Sequence, residues 1–244
     1  MPLISVQNVS KIFQERSLPV AALAEVSLEI QPGDFTVLSG PSGSGKTTLL
    51  NLMGCLDRPT SGKVFLEGEE VSSLSPQKLS NIRLRKVGFI FQDYNLIPTL
   101  TASENIEYVL WLQKVSAGER KKQVLTICER FVIAQLLHRK PAQLSRGQQQ
   151  RVAVARAIVH KPKVVFGDEL TANLDHKTGA DLMDFLRELN RTEKISFIYA
   201  THDPMMVQRA SRIVRMQDGK ILAQETPDAK QETKDNSNVS SRNR

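Results

Sequence analysis

Gly40-Pro-Ser-Gly-Ser-Gly-Lys-Thr47 is the stretch from which the rest of the chain is read. Before it runs Phe35-Thr-Val-Leu-Ser39, a short apolar segment with the character of a buried strand. After it, Thr48-Leu-Leu-Asn-Leu-Met53 opens a helix. Strand, glycine-rich loop and helix form the context that makes such a loop a phosphate site. Glycines let the backbone curl without a Cβ in the way, so that successive N–H groups point at one anion. The helix adds its free N–H groups and the positive end of its dipole. Lys46 has the reach of a mobile point charge for β- and γ-phosphates. The Thr47 hydroxyl suits the oxygen shell of Mg²⁺. The plainer alternative for the same residues is a flexible glycine turn.

Working outward, 244 residues suffice for one large domain or a core with a lobe. The apolar share of 40% and the charged share of 24% are those of a globular protein rather than a disordered or fibrous one. A net charge of +7 suits anionic partners without choosing among nucleotide, membrane surface and nucleic acid. Much of it is scattered, as in Arg83-Leu-Arg85-Lys86 and Arg120-Lys121-Lys122, the pattern of a solvated surface. Cys55 and Cys128 belong to no Cys-x-x-Cys pair, and are expected as small buried residues in a reducing compartment. The amino-terminal residues lack the basic start and apolar run of a signal peptide. Nothing approaches the roughly 18 apolar residues of a membrane span. Val109-Leu-Trp-Leu112 reads as a core segment. A cytoplasmic protein is expected, with any membrane role exercised through a partner.

In chain order, Ile4–Val9 and Val26–Ile30 alternate like half-buried antiparallel strands; between them lies Lys11-Ile-Phe13, then a loop expected through Pro19. Lys63–Leu66 and Gly88–Phe91 read as further strands. From Pro98 to about Leu144 strand signals vanish: Glu104, Ile106, Val109 and Leu110 give one helical face, and Val124, Ile127, Phe131 and Ile133 a second. Gln148–Ile158 is rich in strong helix formers. Lys163–Phe166 is a strand delivering Asp168-Glu169, Thr178–Leu189 a helix, and Ile195–Tyr199 a strand followed by Thr201-His202-Asp203. Arg212–Met216 and Lys220–Gln224 form a hairpin around Asp218-Gly219. The last residues, 226–244, are poor in large apolar side chains and read as a disordered tail.

Alternating strands and helices predict a mostly parallel sheet covered on both faces. Ligands of such sheets lie at the carboxyl ends of strands. Here four strands end in polar residues: Ser39 into the glycine loop, Phe91 into Gln92, Phe166 into Asp168-Glu169, and Tyr199 into Thr201-His202. Their convergence on one site is the central expectation. Asp168 is suited to hold Mg²⁺, and Glu169 to polarise a water aimed at a γ-phosphate. An acidic pair at a strand end is equally an ordinary surface feature. Leu144-Ser-Arg-Gly-Gln148 is a turn opening a helix, either an anion seat or a plain N-cap by Ser145.

Taken together these residues resemble the ATP-binding subunit of ABC transporters. GPSGSGKT resembles the family's Walker A motif, LSRGQ its signature, KVVFGDE its Walker B, Gln92 its Q-loop, Ala172-Asn-Leu-Asp175 its D-loop and Thr201-His202-Asp203 its switch-histidine segment. The elements stand in the family's order from about Ile4 to Gln224. FQDYNLIPTLTASEN, NLMGCLDRPTSG and THDPMMV are similar to the lipoprotein-releasing and macrolide-exporting branch.

The resemblance implies an α/β fold with a P-loop, RecA-like, mostly parallel sheet. An N-terminal antiparallel β subdomain and an α-helical subdomain inserted over about 93–158 would complete a domain spanning 1–225. It also implies an ATPase, a head-to-tail pair of chains around two ATP, a membrane permease as partner and no nucleic acid. The chain would then lie on the inner face of the cell membrane. Gly40, Pro41, Ser42, Gly43, Ser44, Gly45, Lys46, Thr47 and Thr48 would wrap the phosphates of ATP. Thr47, Gln92 and Asp168 would serve Mg²⁺. Glu169 would act as general base and His202 would hold the γ-phosphate. Ser145, Gly147 and Gln148 of a second copy would close the site, and Asp175 would link the two sites. Phe13 occupies the position of the adenine-stacking aromatic; a buried core phenylalanine is the alternative. His138, His160 and His176 have no such context.

Three residues depart from the pattern: Arg146 where the signature has Gly, Leu170 where Pro follows the glutamate, and Ala172 where Gly or Ser is common. A second class of function is a soluble ABC-type ATPase in an assembly or regulatory complex. A P-loop kinase or GTPase explains neither LSRGQ nor His202.

Overall fold

The computed structural model describes residues 1–14, 18–171 and 176–226. Asp175, Ala172 and nearly all of the expected tail lie outside them. The glycine loop sits between a large sheet and a smaller one. The large sheet runs in the order β10(Lys220–Glu225), β9(Arg212–Gln217), β3(Phe35–Ser39), β8(Ser196–Thr201), β7(Val164–Asp168), β6(Val87–Ile90). All its neighbours are parallel except the β9–β10 hairpin. The small sheet is antiparallel, in the order β2(Pro19–Ile30), β1(Ile4–Gln14), β4(Ser61–Leu66), β5(Glu69–Glu70).

The central strands are apolar at nearly every position because both faces are buried. Val164, Phe166, Ile198 and Ala200 point into one core, shared with α1(Lys46–Met53) and the small sheet. Val165, Phe197 and Tyr199 point the other way, into a core shared with α3(Ala102–Leu112), α4(Ala117–Arg130), α5(Arg146–Ile158) and α6(His176–Glu193). The period of two along each strand thus separates two cores, and α1 is the layer that carries the glycine loop between the sheets.

Several sequence expectations need correction. The first two strands run further than the alternation suggested: β1 continues through Lys11-Ile-Phe13 to Gln14, and β2 already begins at Pro19, so that their pairing reaches Gln14 with Pro19 and shortens the expected loop. Of Val109–Leu112 only Leu110 is buried; Trp111 is 56% exposed and Leu112 44% exposed. Along a helix successive side chains fan around the axis, so a run of four apolar residues cannot all face one core. The helix α2(Pro76–Lys86) was not anticipated, because only Leu79 and Ile82 are buried on it. Its signals are nevertheless in the chain: Ser75 caps it, Pro76 takes the first position, and Arg83, Arg85 and Lys86 fill the last turn. There cations face the negative end of the dipole. The basic cluster read as scattered surface charge is therefore a helix end, with Arg83 donating to the Cys55 carbonyl at 2.7 Å. Both cysteines are buried, as expected. Among the described residues no helix is long and apolar enough to cross a membrane.

Candidate active site

The loop leaving β3 has no room for a side chain at Gly40 or Gly45. A Cβ on Gly40 would lie 2.1 Å from the Met216 carbonyl of β9, and Gly45 has φ of 94° with the Ala22 carbonyl 2.6 Å from its missing Cβ. Gly45 is also the N-cap of α1, which has neither a side-chain cap nor an acidic residue in its first turn. The N–H groups of that turn and the positive dipole end thus face the loop without a competing carboxylate from the helix itself. Lys46 is folded into the curl and buried. Its Nζ donates to the carbonyls of Gly40 and Pro41, each at 2.8 Å, and approaches Ser44 Oγ at 3.4 Å.

The other strand ends arrive at the same place. Thr47 Oγ1 donates to Asp168 Oδ2 at 2.9 Å, tying α1 to the end of β7. Burial pushes the Asp168 carboxyl above its usual range; the Glu169 charge pushes the same way, while the Thr47 hydroxyl and the Lys46 charge oppose both. Glu169 turns sharply out of the strand with φ of 47°, its N–H donating to the Ala200 carbonyl at 3.0 Å. Its Oε2 accepts from Thr201 Oγ1 at 3.3 Å, and its Oε1 lies 2.7 Å from His202 Nδ1. Asp203 braces this turn: its N–H donates to Thr201 Oγ1, and its Oδ2 accepts from Thr171 Oγ1, both at 3.0 Å.

These groups line one cleft of about 500 Å³, formed by Ala22, residues 42–48, Gln92, Asp168, Glu169 and His202. All four strand ends named from the sequence therefore meet. Gly40 and Pro41 act from behind, through the carbonyls that hold Lys46. Ala22 is the lining residue that sequence reading missed; it lies in the first half of β2, ahead of the alternating Val26–Ile30 stretch, and its tertiary contact with Gly45 marks it. Ser145, Gly147 and Gln148 do not line the cleft. They form the start of α5, where Ser145 Oγ accepts from Gln148 N–H at 3.3 Å and Gln148 Oε1 from Ser145 N–H at 2.9 Å. Phe13 is outside the cleft too, on β1, 41% exposed with Lys11 Nζ 4.9 Å from its ring centroid, so it is not a core residue. Leu170 is buried against Gly167, where it fills the apolar core behind Glu169. Of the histidines without context, His138 is exposed and His160 is half-buried, with Nε2 3.3 Å from the Val87 carbonyl; burial lowers its pKa to about 4.

Loop, acidic strand end and helix start define a phosphate-binding cassette, and comparison with known proteins places it in a family. The family model for ABC transporters matches residues 23–172. An uncharacterised ABC transporter ATP-binding protein of Thermotoga maritima is 46% identical over 88% of this chain and 91% of its own length. The macrolide export ATP-binding/permease protein MacB of Syntrophobacter fumaroxidans is 43% identical over 91% of this chain. This chain spans about a third of that relative, 31% of its length. Among solved structures, a dimeric ATP-binding cassette in a post-hydrolysis state with ADP and Pi superposes with a TM-score of 0.86. It shares 39% identity and covers 91% of this chain and 98% of its own. The chain belongs to the ABC transporter family and is an ATPase cassette of that family.

Proposed function

We propose that this chain is the ATP-hydrolysing subunit of a membrane-embedded ABC complex of the export or extraction kind, lipoprotein release and macrolide export being the nearest models. Two copies would pair head to tail around two ATP. The observation that carries this reading is the meeting of Lys46, Thr47, Gln92, Asp168, Glu169 and His202 in one cleft while the LSRGQ turn lies off it. A cleft that holds phosphate on one side and lacks its lid is completed by the same turn of a second copy. The neighbouring cassette solved as a dimer supports that arrangement.

In this reading the glycine loop and the first turn of α1 bind the phosphates, and Lys46 exchanges its loop carbonyls for phosphate oxygens. The Thr47 hydroxyl, the Asp168 carboxylate and the Gln92 side chain are hard oxygen donors beside that loop. They fit Mg²⁺, which takes one or two protein carboxylates together with phosphates and water. When bound, the ion would neutralise phosphate charge. Glu169 takes the proton of the attacking water, held in place by Thr201 and His202. With Nδ1 committed to Glu169, His202 has Nε2 for a γ-phosphate oxygen. Asp175 would connect the two sites, and Phe13 would stack on adenine.

The chain would act at the inner membrane face through a permease. The exposed Tyr108, Trp111 and Leu112 on α3 favour an apolar partner at the helical lobe, in line with docking beside 92–98. The Glu169→Gln variant tests the reading: ATP binding is retained, turnover disappears and ATP shifts the chain to a dimer on gel filtration. A variant that stays monomeric with ATP refutes the sandwich. An integral membrane protein co-purifying from detergent extracts supports the transport role, and a wholly soluble complex refutes it.

A further inference from the structure

The turn directly after Gln92 is fastened by the helix that starts at LSRGQ. Tyr94 and Asn95 have φ of 61° and 45°, two successive non-glycine residues in the left-handed region. Local bonds from Tyr94 N–H to the Phe91 carbonyl (3.0 Å) and from Asn95 N–H to the Asp93 carbonyl (2.6 Å) close the turn. Arg156 holds it from outside: Nη1 donates to the Asn95 carbonyl at 2.6 Å and Nη2 to the Tyr94 carbonyl at 2.8 Å. The planar fork matches two adjacent carbonyls in a way a lysine does not.

Arg156 stands three turns along α5 from Ser145, about 16 Å on a rigid helix. Its neighbour Ala157 seats the helix on β6, since a Cβ on Gly88 would lie 2.3 Å from the Ala157 carbonyl. On the far side, Asn105 of α3 binds the backbone of residues 97, 100 and 101. The segment beyond Gln92 is thus held by two helices of the lobe, whereas Ile90 pairs with Gly167 in the sheet. Gln92 stands at the junction.

We propose that Arg156 is a positioning residue for Gln92: it fixes the 94–95 turn so that Gln92 enters the nucleotide cleft, and it carries displacements of the LSRGQ helix to that cleft. The inference rests on reading the cleft as the ATP site. Its test is a double-mutant cycle on turnover, with Gln92→Ala, Arg156→Met and the pair. Arg156→Met lowers kcat about tenfold, as expected of a small misplacement at the chemistry, with KM for ATP unchanged within about twofold. The double variant is no slower than Gln92→Ala alone, and Arg156→Lys is intermediate. Hydrogen exchange of the Tyr94 and Asn95 amides quickens in Arg156→Met while that of α3 does not, which general destabilisation would not produce. If Arg156→Met does not fold, Arg156→Lys carries the same cycle. Multiplying effects, or wild-type turnover in the Arg156 variants, overturn the proposal while a slow Gln92→Ala leaves the site reading standing. Wild-type turnover in Gln92→Ala overturns both.

Discussion

Asn105→Ala probes how the chain holds the segment between Gln92 and the helical lobe. Asn105 is fully buried. Its Oδ1 accepts from Ile97 N–H at 2.7 Å, and its Nδ2 donates to the carbonyls of Ile97 (3.1 Å), Leu100 (3.2 Å) and Thr101 (2.9 Å). Two of those carbonyls keep a second donor: Leu100 N–H reaches Ile97, and the Asn105 backbone N–H reaches Thr101. Among the described residues the Ile97 N–H and the Leu100 carbonyl depend on Asn105 alone. An orphaned polar group costs about 1–3 kcal/mol, and because Ile97 and Leu100 are half-buried, water offsets part of it; two such groups give about 2–4 kcal/mol. In a chain of this size about 1 kcal/mol moves the melting midpoint by about 2–4 °C, so the expected drop is roughly 5–15 °C. Urea unfolding and calorimetry of the nucleotide-free protein measure both. Asn105→Asp keeps the acceptor but loses both N–H donors, which the three carbonyls share, and buries a charge, so it falls at least as far. A loss below about 1 kcal/mol in either variant refutes the reasoning that this side chain replaces regular structure over residues 97–101.

Asp168→Asn raises the melting midpoint of the nucleotide-free protein at pH 7 while abolishing turnover. Burial raises the folded pKa of this acid, so its ionised form opposes folding above the unfolded value, and the gain shrinks as pH falls towards the carboxylate range. A lower midpoint at pH 7 contradicts this. His160, with a folded pKa of about 4 against 6.5, stays neutral while the unfolded chain protonates, so acid destabilises the native state; lowering pH from 7 to 5 costs about 2 kcal/mol through this group. His160→Gln removes that slope in urea titrations at the two pH values, and an unchanged slope tells against it. Gly40→Ala places a Cβ against the Met216 carbonyl and displaces the loop that holds Lys46. Calorimetry should show nucleotide binding lost, and wild-type affinity counts against the loop geometry.

The large sheet was legible because its strands are buried on both faces and therefore apolar throughout, from Phe35–Ser39 to Ile195–Tyr199. The site was legible because each strand hands over to a polar residue of distinctive chemistry, with Gln92, Asp168-Glu169 and His202 as the examples. What escaped notice depends on tertiary contact. Ala22 has no side-chain chemistry and matters only because its carbonyl abuts Gly45. The helix α2 is mostly polar, since one face suffices to pack Leu79 and Ile82, so it carries no broad apolar stripe. The exposure of Trp111 follows from its place around the axis of α3 rather than from its composition. Leu170, which departs from the family pattern, is explained by the core it fills.

A structure of the Glu169→Gln variant with ATP tests the central claim most directly. The account predicts one triphosphate wrapped by residues 40–48, with Asp168, Gln92 and His202 around it and Ser145 and Gly147 of a second copy against its γ-phosphate. A nucleotide bound with Asp168 or His202 turned away, or with the LSRGQ turn of the second copy remote from it, contradicts the account.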